Sequence, residues 1–177
     1  MKLPTPWPYE HTEPTRLRVL KALTDALREI TPANGYLYDL SKSVYRGRVM
    51  FGPKDPLPML AILETPLQPE QIPTAPDNPA RNGAWDLTIQ GFVDDDFENP
   101  TDPAQYLVAD VIRRLAVEKR KNFDFALFGM GDVVTNLSIG VPVVRPPDEL
   151  SAKAYFYLPV ALTIAEDLDK PYGDLKP

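Results

Sequence analysis

Twenty-one of the 177 residues are proline, well above the usual share of about 5%. Proline fixes φ and has no amide hydrogen for a helix or sheet, so regular structure is confined to the intervals the prolines leave. They gather in two places. Residues 1–14 carry Pro4, Pro6, Pro8 and Pro14 around Trp7 and Tyr9, and residues 65–82 carry Pro66, Pro69, Pro73, Pro76 and Pro79. The first stretch reads as an extended N-terminal arm, since a residue that precedes proline is held away from the helical region. The second reads as a long proline-rich loop, of a length that compact domains use for binding or leave disordered. Trp7, Tyr9 and Ile72 have no helix or strand to bury them and are candidate contacts with other subunits or partners.

Between these stretches the hydrophobic periodicity is legible. Leu17, Leu20, Leu23, Leu27 and Ile30 recur at spacings of three and four and predict an amphipathic helix, ending where Pro32 and Gly35 follow. Residues 36–51, rich in Tyr and Val, read as one or two strands interrupted at Gly47 by a bulge. The run PMLAIL at 58–63 reads as a central strand buried on both faces. From Trp85 the pattern alternates: Trp85, Leu87, Ile89 and Val93 share one face, with Phe92 as an apolar exception on the other.

That strand runs into Asp94, Asp95 and Asp96. A helix is then predicted from Pro103 to Lys121, with Asp102 as N-cap and Gln105 at the capping-box position. Its apolar stripe is Leu107, Val108, Val111, Ile112 and Leu115, and its last turn is basic, as the helix dipole favours. Phe123, Phe125 and Phe128 follow closely and are expected in the core. Residues 133–145 read as a strand. In the last strand Ala154, Phe156, Leu158, Val160, Leu162 and Ile164 take every second place. Pro142 and Pro159 are required to sit at an edge or face outward, and residues 166–177 read as a polar tail. Helix, strands, helix and hairpin in that order predict a single α+β domain, a mostly antiparallel sheet packed by two main helices.

The catalytic inventory is sparse. There is no cysteine, so disulfides, thiolate zinc sites and cysteine nucleophiles are excluded. His11, in the arm, is the sole histidine, which disfavours serine triads, and no glycine-rich phosphate loop is present. A net charge of −6 gives no broad basic field for nucleic acid. No apolar run approaches the length of a membrane helix, and the first residues lack the apolar stretch of a signal peptide. Consecutive aspartates in an extended segment point to opposite sides, so Asp94–Asp96 read as an acidic loop before a helix N-terminus rather than as a catalytic metal site. No cofactor is expected.

The segments RLRVLKALTDALREI, GYLYDLSKSVYRGRVMFGPKDPLPMLAILE and WDLTIQGFVDDDFENPTDPAQYLVADVIRRL together resemble tail terminator proteins of long-tailed bacteriophages, also called tail completion or minor tail proteins. The likeness covers about residues 15–165 and rests on the opening helix, the strand ending in Glu64, the Trp85 strand ending in Asp94, and the second helix. The proline-rich arm and loop depart from it. The resemblance implies a non-enzymatic virion protein at the tail–neck junction, assembled in the host cytoplasm. It implies a homohexameric ring that closes the tail tube, meets tail tube and neck or connector proteins, and lets DNA pass without sequence-specific binding. Trp7, Tyr9, Ile72 and Asp94–Asp96 are its candidate interface residues. A head-to-tail adaptor of similar layout and a metal-dependent enzyme using Asp94–Asp96 stand as the alternative readings.

Overall fold

The final alternating stretch forms one of the two longest strands of the molecule. In the computed structural model, which describes residues 13–65 and 79–173, β6 spans Ala154–Asp167 and pairs antiparallel with β3, Ala80–Val93, along its whole length. All six of the residues at every second place from Ala154 to Ile164 are buried. They meet Trp85, Leu87 and Ile89 of β3 on the same face, because strand side chains alternate and Leu87 lies opposite Val160. At Gly91 the ring of Phe156 occupies the space a side chain would fill, and an added Cβ would come within 2.1 Å of it. The glycine is therefore a packing requirement in mid-strand.

Strand β2, Met59–Glu64, pairs antiparallel with β3, and the three-residue β1, Val44–Arg46, pairs parallel with β2. On the other side of β6 lie β4, Val134–Ile139, and β5, Val143–Arg145, giving the order β1-β2-β3-β6-β4 with β5 also on β6. Helices α1, Thr15–Arg28, and α2, Asp102–Arg120, cover one face of this mixed, mostly antiparallel sheet. The result is the single α+β domain expected. Among the described residues no helix is long and apolar enough to cross a membrane.

Several local expectations are corrected. The buried stripe of α1 is Val19, Leu23, Ala26 and Leu27, turned slightly from the expected one, so that Leu17 is only half-buried. Of residues 36–51 only Val44–Arg46 is strand: Leu37 and Tyr38 donate their amides to Asp110 of α2, and Gly47, at φ 64°, ends β1 in the left-handed region. β2 is internal but lies next to the edge; β3 and β6 hold the centre. β3 begins at Ala80, inside the stretch assigned to the loop at 65–82.

The predicted capping box is not formed either, since Asp102 is already helical and Thr101 precedes it with no side-chain cap. Phe123 and Phe125 are 90% and 80% exposed, and only Phe128 packs on the core. The expected strand 133–145 divides into β4 and β5. Pro159 faces outward as required. Its carbonyl accepts from the Gly140 amide at 2.8 Å, so its ring nitrogen points toward the same neighbour, where β4 has ended and β5 has not begun. The predicted polar tail is partly tied down: Glu166 and Asp167 belong to β6, and the Thr15 amide bonds the Pro171 carbonyl.

A buried guanidinium ties the two helices together. Arg114 of α2 donates Nε to the Ala26 carbonyl of α1 at 2.9 Å, and Nη2 to Glu29 at 2.5 Å and Glu118 at 3.1 Å. Glu118 in turn accepts the Phe128 amide at 2.7 Å and Lys121 Nζ at 2.8 Å. One carboxylate thus satisfies the turn after α2, and one guanidinium adds a second, shorter bond to the Ala26 carbonyl, which the end of α1 pairs only with the Glu29 amide at 3.3 Å.

Arg114→Met should cost about 3–5 kcal/mol, because it takes from buried Glu118 one of its two cations and leaves it Lys121 alone. Adding Glu118→Leu should recover part of this, leaving about 1–3 kcal/mol for the orphaned Phe128 amide. Gly91→Ala should cost about 1–3 kcal/mol through overpacking against Phe156. Urea unfolding of the three variants checks these values.

Candidate interaction surface

The face of the sheet opposite the helices carries a second apolar cluster. Met59 of β2, Phe92 of β3 and Tyr155 of β6 are adjacent there, buried beneath Tyr45, Phe51, Leu57 and Tyr157. The rings form a chain: Phe51 to Phe92 at 4.7 Å, Phe92 to Tyr155 at 6.0 Å, and Tyr155 to Tyr157 edge-on at 5.4 Å. These are ordinary separations for attractive aromatic pairs.

Two loops raise walls around this cluster. On one side Arg48 stacks on Tyr45 and Phe51, with its guanidinium 4.6 and 5.4 Å from the ring centres, and pairs with Asp55 at 2.5 Å. The Gly52 amide and Arg48 bond Asp55 and hold its carboxyl below the usual range. On the other side Asp148 accepts the Tyr155 hydroxyl at 2.6 Å and the amides of Leu150 and Ser151. That hydrogen bond, together with burial, raises the Tyr155 phenol. Between the walls lies an open groove of about 530 Å³, floored by Phe92, Gln90, Tyr155 and Tyr157. Its rim carries Val49, Met50 and Leu150, the last two 82% and 80% exposed. Its ionisable groups Asp55 and Lys153 are engaged by Arg48 and Asp94. Aromatic faces, apolar lips and one amide side chain are chemistry for binding an apolar segment.

The acidic triplet sits beside this end of the sheet. Asp94 pairs with Lys153. Asp96 accepts the amides of Glu98 and Asn99 at 2.9 and 2.7 Å, while Asp95 is exposed. Asp94 and Asp96 thus have separate tasks, and among the described residues no group of three or more His, Asp or Glu could hold a metal ion. Trp7, Tyr9 and Ile72 lie outside the described residues. The groove itself was not among the sequence-derived candidates, although Phe92 stood out there as an apolar residue on a polar face.

At the opposite end of β3 and β6 is a second concavity of about 690 Å³, whose lining includes the charged side chains of Arg16, Arg18, Arg81, Asp132 and Glu166 among apolar ones such as Val133, Leu168 and Tyr172. Arg16 grips Glu166 with two bonds of 2.6 and 3.0 Å, Arg81 adds one of 2.8 Å, and Arg16 lies 4.7 Å over the Trp85 ring. Burial opposes ionisation of Glu166, but the hydrogen bonds from both arginines outweigh it and hold the carboxyl below its ordinary 4.5.

No protein-family model and no curated protein matches the chain.

Because the folded Glu166 carboxyl titrates below its unfolded value, its contribution to stability is complete above about pH 4.5 and is lost as pH falls through the folded value. Glu166→Gln should therefore flatten the acid limb of unfolding free energy against pH, measured by urea melts, and leave the slope above that limb unchanged. Replacing Asp94, Asp95 and Asp96 together with Asn should cost no more than about 1 kcal/mol, as expected for exposed charges. Calorimetric titration with magnesium and calcium should show no stoichiometric site in the parent that the variant loses.

Proposed function

We propose that this chain is a structural virion protein that forms a homo-oligomeric ring, of six copies, capping the tube of a phage tail and joining it to the neck. The observation that carries the reading is the open sheet face, whose aromatic groove and exposed Val49, Met50 and Leu150 offer a surface for protein partners. Exposed apolar side chains elsewhere, Phe97, Tyr106, Phe123 and Phe125, extend the same theme. The resemblance noted in the sequence supplies the ring, its number and its place.

The chain acts in this reading by occupying the end of a polymer. A head-to-tail contact that closes by rotation makes a ring, and each stable contact buries at least about 1,000 Å². An acidic surplus on the lumen side would let DNA pass without adhering.

Omitting the protein during phage production should yield tails that are overlong or unable to join heads, as counted by electron microscopy. Normal infectious particles would refute the reading. Co-assembly of the purified chain with tail tube subunits, rather than with portal, separates the capping role from that of a head-to-tail adaptor.

A further inference from the structure

The long β3–β6 ribbon has unlike ends. At one end lie the start of α1, held by Thr15 to Pro171 and by Arg16 to Glu166, and Pro79, whose carbonyl accepts from Leu168, while Thr65, on the other flank of 66–78, bonds Asp86 midway along β3. The N-terminal proline-rich stretch is therefore attached at that end. At the other end, and on the opposite face, lies the aromatic groove around Phe92, Tyr155 and Tyr157.

A proline-rich stretch and an aromatic groove are chemically matched. Prolines hold neighbouring residues extended before binding, little entropy is then lost on docking, and flat aromatic walls pack against the rings. The sequence from Pro4 to Tyr9, PTPWPY, has three prolines and two aromatic residues and no charge, in keeping with the apolar rim. Trp7 has the size for an anchor between Met50 and Leu150.

Reach decides which copy is served. Seven residue steps lead from Trp7 to Pro14, at most about 25 Å of extended chain. From Glu166, beside the start of α1, to Tyr155 in the groove, β6 covers roughly 36 Å at about 3.3 Å per residue. The path must also pass from the helix-covered face to the open one. Trp7 falls short of the groove in its own chain.

We propose that the segment Pro4–Tyr9 of one copy docks in the aromatic groove of a second copy, with Trp7 as anchor. The contact joins unlike surfaces, so it is head-to-tail, and each copy is left with one segment to give and one groove to fill. Such a contact propagates until it closes. The inference rests on the ring reading only for the number of copies, since the docking itself follows from the placement of segment and groove.

A photoreactive benzoylphenylalanine in place of Trp7 tests it in the full chain. Light and isotopically heavy protein are mixed at high concentration, irradiated and digested. The expected result is mixed light–heavy cross-links from position 7 to Phe51, Met59, Leu150 or Tyr157. These should fall at least about tenfold in Met50→Asp/Leu150→Asp, whose exposed positions leave folding intact by circular dichroism. A second probe, benzoylphenylalanine at position 50, should capture residues 1–12 of another copy. Cross-links within one chain, to surfaces outside the groove, or none at all would overturn the proposal, as would capture of residues 66–78 by the probe at position 50. If the mixed cross-links form while phage lacking the protein make normal tails, the capping role fails and the docking stands. If the cross-links are absent while tails are defective, the reverse holds.

Discussion

The antiparallel register between β3 and β6 sets the position of everything else. Trp85 lies opposite Leu162, Leu87 opposite Val160 and Ile89 opposite Leu158, so one face of the ribbon is a continuous apolar floor for the helices. Side chains alternate along a strand, and a slip of β3 by one residue against β6 would turn Trp85, Leu87 and Ile89 toward the groove side and bring Asp86, Thr88 and Gln90 against α2. The same register puts Phe92 beside Tyr155 on the far face. Core and groove are thus two outcomes of one pairing.

Where a signal depends only on near neighbours along the chain, it was readable. The alternation from Ala154 to Ile164 and the stripe from Leu107 to Leu115 are repeated over many residues, and burial of one face rewards each repeat. Residues 36–43 misled because β-branched and aromatic content says how a residue fits a sheet and nothing of a carboxylate, Asp110, that arrives from α2 to bind two amides. Phe123 and Phe125 misled for a related reason: closely spaced aromatics suggest a core, but the 3-10 turn at Lys121–Asp124 directs these two outward. Arg114 and Glu118 stand at an ordinary i, i+4 spacing, which most often marks a solvated pair. Their burial comes from the end of α1 closing over them.

The candidate surface illustrates the same limit. Its residues come from stretches around 49–59, 90–92 and 150–157, and only the sheet brings them together. Phe92 was the one local clue, an aromatic side chain on the polar side of an alternating strand. Asp94–Asp96, conspicuous as a triplet, are instead divided between an ion pair and a turn, because an extended backbone sends adjacent side chains in different directions. Conspicuous composition and useful geometry are separate properties.

Pro159 bears on what the sheet itself can recruit. An exposed strand edge with a full row of amides and carbonyls invites another strand to add on, and repeated addition gives fibres. Here one edge is β1, three residues long and stopped by Gly47. The other is cut in two around Pro142, opposite a position of β6 that has no hydrogen to offer. Neither edge offers a long unbroken ladder to a newcomer. Along these two edge strands, strand addition of the kind that builds cross-β aggregates is blocked, and recognition falls to side chains and to stretches outside the sheet.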